Sequence, residues 1–102
     1  MAKTASARIR WLQPAEGGRA APPKTCQYST VAKFEEQTGE DWHKNAWSLV
    51  LHLNGTPDES WTQMAVVHFL ADDATAPTDW LYPGSRFLLF EGLKAVAEGI
   101  VL

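Results

Sequence analysis

Alternation of apolar and polar residues predicts β-strands along most of the chain. In the clearest segment, 46–54, every second position is occupied by Trp47, Leu49, Leu51 and Leu53. A period of two is typical of a half-buried strand. The segments predicted as strands are 8–13, 25–34, 46–54, 61–71, 86–91 and 94–102.

Turn-forming residues separate these strands. The segments "PAEGGRAAPP" at 14–23, "NGTPDES" at 54–60 and "DDATAPTDWLYPG" at 72–84 all contain proline, which cannot donate a hydrogen bond within a sheet. Short strands without a convincing helix predict an all-β fold, a small six-stranded antiparallel barrel or a sandwich. Segment 61–71, apolar on both faces, should lie centrally. Gly99 predicts a bulge or a bend in the barrel wall.

The length and composition of the chain fit one small globular domain. It has 102 residues, of which 45% are hydrophobic, and this size allows one modest core. We therefore expect residues 1–102 to form a single barrel domain. Residues 1–6 precede the first predicted strand and are expected to be a disordered N-terminal extension.

Charge and cysteine content limit the classes of function. Nine basic against twelve acidic residues give a net charge of -3, which does not favour nucleic acid as a partner of the whole surface. The single cysteine, Cys26, excludes a disulfide within the chain and indicates a reducing compartment. The N-terminus has no apolar run of a secretory signal, and no stretch is long enough to cross a bilayer. We expect a cytoplasmic protein that does not bind a membrane.

Two motifs, one near each end of the chain, resemble the C-terminal (third) domain of elongation factor Tu. The closing stretch "GSRFLLFEGLKAVAEGIV" and the early loop "EGGRAAP" carry this resemblance. The matching residues are Glu16, Gly17, Gly18, Arg19, Pro22, Gly84, Arg86, Phe87, Glu91, Gly92, Val96, Gly99 and Val101.

The resemblance implies a six-stranded antiparallel barrel that the last two strands complete, with Glu91-Gly92 in the turn between them. In elongation factor Tu this domain has no catalytic role and contacts tRNA, the nucleotide-exchange factor and the GTPase domain. The present chain has no Gly-x-x-x-x-Gly-Lys-Ser/Thr phosphate loop, so we do not expect it to bind GTP.

Aromatic residues in loops are the candidates for contact with a protein partner. Trp61, Trp80 and Tyr82 follow or lie within polar loops, as does Trp42. Exposed Trp and Tyr often dominate the energy of protein interfaces. The alternative for "TDWLYPG" is that it folds over one end of the barrel as a plug, and this alternative is favoured.

Early basic residues are the candidates for an anion or RNA site. They are Arg8, Arg10, Arg19 and Lys24. Arginine binds phosphate through paired hydrogen bonds. For Arg19 and Arg86, which both lie in the matching motifs, the structural alternative, an ion pair with Glu16 or Glu91 that fixes a loop, is favoured.

A metal site is possible only if distant residues converge. His52 and His68 lie on different predicted strands and could meet across the sheet. Zinc would need further ligands, which Cys26, Asp72 or Asp73 would have to supply. We expect no metal and no cofactor; Cys26 is interpreted as a packing residue rather than a nucleophile.

The sequence as a whole favours a stand-alone, non-enzymatic β-barrel binding module that engages a protein partner. An alternative is that the same surface binds a second copy of the chain and forms a homodimer. A second hypothesis is a translation-related module that binds RNA or tRNA. A third is a small-ligand carrier or hydrolase with a site at the mouth of the barrel, which would require titratable groups in a cleft.

Overall fold

A computed structural model describes residues 3–37, 46–71 and 76–102, and over these residues the chain is almost entirely β-structure. The strands are β1 (Ala5–Trp11), β2 (Gln27–Phe34), β3 (Trp47–Asn54), β4 (Thr62–Phe69), β5 (Arg86–Glu91) and β6 (Lys94–Val101). Two 3-10 turns, Pro14–Glu16 and Thr78–Trp80, lie in the connections. No helix in the described ranges is both long and apolar enough to pass through a bilayer.

The six strands close into an antiparallel barrel, which confirms the predicted fold class. Their order around the cylinder is β1-β4-β3-β2-β5-β6, and β6 returns to pair with β1. In this closing pair Ala7 faces Val101 and Trp11 faces Ala97. Closure leaves none of the six strands with an unpaired edge, which is where sheets otherwise aggregate.

Side chains from alternate positions of every strand fill the interior of the barrel. On β3 these are Leu49, Leu51 and Leu53, as the period of two predicts, and on β4 they are Ala65 and Val67. The largest buried side chains, from three other strands, are Trp11, Phe34, Ile9 and Leu89. The interior is therefore a packed core rather than a binding cavity.

The N-terminal strand starts earlier than the sequence predicts. β1 begins at Ala5, inside the segment 1–6 that was expected to be a disordered extension. Ala5 pairs with Val67 of β4, and the Ser6 carbonyl accepts a hydrogen bond of 2.9 Å from the Leu102 N–H. Small residues give little periodic signal, so the sequence did not reveal that these backbone groups are needed to close the ladder.

The bulge that the sequence offered as one alternative at Gly99 lies elsewhere in β6. The register between β5 and β6 shifts between Leu89 and Phe90, which places Val96 as the extra residue. Gly99 has a different role, because a Cβ on it would lie 2.3 Å from the Phe87 ring. The absence of a side chain at Gly99 thus makes room for Phe87 inside the barrel.

Candidate functional site

The segment around the second 3-10 turn covers one end of the barrel. Leu81 is buried in the core, and the Trp80 ring lies 5.4 Å from that of Phe34. Tyr82 is 44% exposed and its hydroxyl donates a hydrogen bond of 2.7 Å to Glu36. This arrangement is the plug favoured from the sequence. Of these aromatics only Tyr82 presents a large exposed surface.

Trp61 lies in a tight loop before β4 and is half-buried against the core. Among the described residues it is the one non-glycine with a positive φ, 63°. Its carbonyl accepts a hydrogen bond of 2.8 Å from the Trp11 N–H, and its own N–H donates to Asp58. The packing gives Trp61 a structural role in the barrel wall. Trp42 lies outside the described residues.

Arg19 is held in an ion pair at the other end of the barrel. Its guanidinium contacts the Glu91 carboxylate, donates to the Ala21 carbonyl at 2.9 Å and lies 5.8 Å from the centre of the Tyr28 ring. The Tyr28 hydroxyl donates a hydrogen bond to the same carboxylate. Burial, and then the neighbouring Glu91, raise the pKa of Tyr28 to about 12. Arg19 therefore fixes its loop, which is the favoured alternative.

The raised pKa of Tyr28 predicts a loss of stability in alkali. An ordinary tyrosine has a pKa of 10.0, so between pH 10 and about 12 the phenol of Tyr28 ionises in the unfolded chain but stays neutral in the folded one. The stabilisation from this neutral phenol is fully present below pH 10 and is lost as the pH rises to about 12. In urea unfolding at pH 9 and pH 11.5, Tyr28→Phe should show a smaller decline than the wild type. Equal declines in wild type and Tyr28→Phe would contradict this assignment.

Arg10 is neutralised on the outer wall. It forms ion pairs with Glu98 at 2.7 Å and with Glu16 at 3.0 Å. The hydrogen bonds to Glu98 and Glu16 raise the pKa of Arg10, while the Gln13 N–H and then Arg10 lower the pKa of Glu16. Arg10 is thus already satisfied by acidic partners and is a weak candidate for binding phosphate.

Two other arginines are available on the outer wall. Arg8 on β1 and Arg86 on β5 face Ile100 of β6 from either side, and both are exposed. Neither side chain has an ion pair or hydrogen bond within the described ranges, so the ion pair favoured for Arg86 from the sequence was wrong there. An open groove of about 720 Å³ passes between them. Lys24 precedes β2, across the barrel from β1, so the four predicted cations do not share one face.

The outer wall of the barrel divides into two faces of different character. We call the outward positions of β2, β3 and β4 the uncharged face, because Lys33 at the end of β2 is their single charged residue in the described structure. These positions are Gln27, Ser29, Val31, Lys33, Ser48, Val50, His52, Asn54, Thr62, Met64, Val66 and His68. The opposite wall carries Arg8, Arg10, Arg86 and Glu98.

An apolar band crosses the uncharged face. Val66 and Val50 are diagonal neighbours between β4 and β3, Val50 and Val31 between β3 and β2, and Val31 pairs directly with Phe90 of β5. Val50, in the middle of this row, is itself buried, with 4% of its surface exposed. The row therefore marks apolar outward positions on four strands, of which Val66, Val31 and Phe90 are partly exposed.

The two most exposed apolar side chains beside this band belong to β4 and its continuation. Met64 is 40% exposed and Leu70, just after the strand, is 61% exposed. Their alternation with buried residues places both on the outside of the barrel. Interface cores in proteins are depleted of charge and enriched in methionine. The uncharged face is the candidate functional surface.

The two histidines of the strands meet on the same face. The Nε2 atoms of His52 and His68 are 3.1 Å apart. Cys26 is exposed rather than a packing residue, and the described residues contain no group of three or more potential metal ligands. Asp72 and Asp73 lie outside the described residues.

Comparison with known proteins does not assign this chain to a family. A scan of the sequence against protein-family models finds no match, and a search of the curated proteins finds none either. A six-stranded barrel does not by itself identify the third domain of elongation factor Tu, so that resemblance stays a prediction. A fold does not determine a function, so the surface of the barrel carries the information about function.

Proposed function

We propose that this barrel is a non-enzymatic binding module that engages another protein through its uncharged face. The observation that carries the proposal is the distribution of charge around the cylinder. Three neighbouring strands present outward residues with one charge at their end, whereas the opposite wall carries three arginines and a glutamate. An outer face that only met water would gain nothing from this segregation.

The exposed apolar side chains support the same assignment. Met64 and Leu70 remain accessible, and the partly exposed Val66 lies between them on the outer side of β4, which gives the surface an apolar centre. Serine, glutamine and asparagine around it supply polar groups without the desolvation cost of ions. Such a centre with a polar rim is the usual composition of a protein interface.

Because the interior of the barrel is filled by side chains, a partner is more readily bound on the outer wall than in a cavity at the mouth of the barrel. Trp11 and Tyr28 pack edge to face at one end with ring centres 5.2 Å apart, and Phe34 and Trp80 pack at the other. A carrier of small ligands would need an open cavity between these layers. The outer wall is thus the better surface for recognition.

Charge substitutions on the uncharged face test the proposal. Met64→Glu and Leu70→Glu each place a carboxylate on an exposed apolar site, and Leu93→Glu does the same at the 99% exposed tip of the β5–β6 turn. We expect the wild type and Leu93→Glu to capture the same protein from nuclease-treated lysate. The two face variants should lose at least roughly tenfold in capture, because an unpaired buried charge costs several kcal/mol.

Capture that is equal for all variants would contradict a role for this face, and capture abolished by nuclease would indicate an RNA partner. The remaining possibility is that the uncharged face binds a second copy of the chain. Sedimentation of the purified wild type measures its oligomeric state and so tests this possibility. If the uncharged face mediates a homodimer, Met64→Glu should shift it to the monomer.

RNA is a second candidate partner, favoured by the available arginines on the opposite wall. Arg8 and Arg86 flank Ile100 beside the open groove and have no acidic partner in the described part of the chain. This hypothesis predicts binding that weakens steeply with salt and that is lost in Arg8→Gln/Arg86→Gln. Retained affinity in that variant, or salt-independent binding, would exclude it.

A further inference from the structure

The pair of histidines on β3 and β4 has the spacing of two metal ligands. His52 faces Val66 and His68 faces Val50, so the two histidines are diagonal neighbours across adjacent strands. Their ring planes are 24° apart, with centres 5.2 Å apart and Nε2 atoms 3.1 Å apart. The rings therefore approach each other through their Nε2 edges.

Hydrogen bonding assigns the protons of this pair. His68 Nδ1 lies 3.0 Å from the Phe69 carbonyl, which can only accept, so Nδ1 carries the proton. In neutral His68 the Nε2 atom then holds a lone pair that points to His52. His52 Nε2 must donate to it. Histidines that bind a metal through Nε2 usually donate their Nδ1–H to a carbonyl or carboxylate in this way, which fixes the tautomer and the orientation of the ring.

We propose that His52 and His68 form a binding site for a divalent first-row metal ion, with Cu²⁺ bound most tightly. Nitrogens 3.1 Å apart and about 2.05 Å from a common ion subtend about 98° at that ion, between square-planar and tetrahedral coordination. On binding, both rings turn so that their Nε2 atoms point to the ion, and His52 moves its proton from Nε2 to Nδ1; both Nε2 atoms then offer a lone pair and no proton is released. Water occupies the remaining positions.

The surroundings of the pair suit a cation. The direct and diagonal neighbours on the sheet are uncharged, among them Gln27, Val50, Met64 and Val66. No lysine or arginine among these neighbours repels the ion. His52 is exposed, which gives the ion access from water. The inference goes beyond the proposed protein binding and does not depend on it.

A swap of two residues on β3 provides the test. In the double variant His52→Asn/Asn54→His the composition is unchanged, but the moved imidazole faces Met64 rather than standing beside His68. The proteins are untagged and all carry Cys26→Ser, because an exposed thiol would reduce Cu²⁺. The otherwise wild-type chain, this variant and His68→Gln are titrated with Cu²⁺ alone, followed by calorimetry and electron paramagnetic resonance. We expect one wild-type site with coupling to two imidazole nitrogens, and at least roughly tenfold weaker binding in both variants, since two ligands on one scaffold act as a chelate.

The outcomes separate a metal site from a simple hydrogen bond. Equal affinity in the wild type and the swap variant, or coupling to a single nitrogen in the wild type, would overturn the proposal. Thermal unfolding without metal checks that each variant is folded. In the wild type Cu²⁺ should raise the midpoint more than Ni²⁺ or Zn²⁺ at equal concentration, and it should leave the midpoint of the swap variant nearly unchanged.

Discussion

Replacing Trp11 with alanine is expected to lower the free energy of unfolding by about 3–5 kcal/mol. Trp11 is fully buried, packs edge to face on Tyr28 and donates a hydrogen bond of 2.8 Å from Nε1 to Gln63. Truncation leaves a cavity where β1 meets β4 and β6, and it removes the partner of a buried amide. Since small domains are stable by about 5–15 kcal/mol, this variant should lie near the limit of folding.

The conservative variant Trp11→Phe separates the two contributions. It keeps most of the packing and loses the Nε1 hydrogen bond, so its cost should be about 1–3 kcal/mol. Urea unfolding followed by circular dichroism measures both variants with the same probe. A cost below about 1.5 kcal/mol for Trp11→Ala would contradict the central place of this residue in the core.

Gly99→Ala is expected to destabilise the barrel by about 2–3 kcal/mol, although alanine is only one methyl group larger. The new Cβ would lie 2.3 Å from Cζ of Phe87 and 3.0 Å from Ile9. Phe87 is itself buried and packs on Phe34 at 5.4 Å, so its ring cannot move without disturbing the core. Overpacking, rather than backbone conformation, is the cause.

A double-mutant cycle with Phe87→Leu tests that cause. Leucine lacks the ring atoms that the new methyl would meet, so Gly99→Ala should cost less than about 1 kcal/mol in the Phe87→Leu background. Unfolding free energies of the wild type, both single variants and the double variant give the coupling. An equal cost of Gly99→Ala in both backgrounds would show that Phe87 is not the obstacle.

The architecture was largely predictable because most strands alternate inward and outward residues, β4 most regularly. Leu49, Leu51, Ala65 and Val67 all lie inside, as their spacing predicts, although Val50 between the two leucines of β3 is buried as well. The central position predicted for 61–71 is not distinguished in a closed barrel, where every strand has two neighbours; β4 lies between β1 and β3, and its outer side is exposed at Met64. Period-two patterning is local, so it can be read from one segment at a time.

Features that depend on contacts between distant segments were missed. The early start of β1 follows from pairing of Ala5 with Val67, and the bulge lies at Val96 because β5 and β6 change register there. Gly99 was correctly noticed, but its reason is the ring of Phe87 across the sheet. No local pattern encodes such a neighbour.

Only part of the candidate surface could be predicted from the sequence. An ion pair of Arg19 with Glu16 or Glu91 was predicted, and the structure forms the pair with Glu91, whereas the neutralisation of Arg10 by Glu98 required the β1–β6 register. The uncharged face had a usable signal, the scarcity of charged residues at outward positions of 25–34, 46–54 and 61–71. That signal becomes meaningful only once β2, β3 and β4 are known to be neighbours.

The location of the protein interface can be measured directly by oxidative footprinting. Hydroxyl radicals modify exposed Met64 and Leu70 in the free barrel, with Leu93 as an internal reference on the β5–β6 turn. In the complex captured from nuclease-treated lysate, we expect modification of Met64 and Leu70 to fall at least roughly threefold while that of Leu93 stays unchanged, because buried interface atoms are shielded from solvent. Undiminished modification of Met64 and Leu70 in the complex would contradict the assignment of the uncharged face.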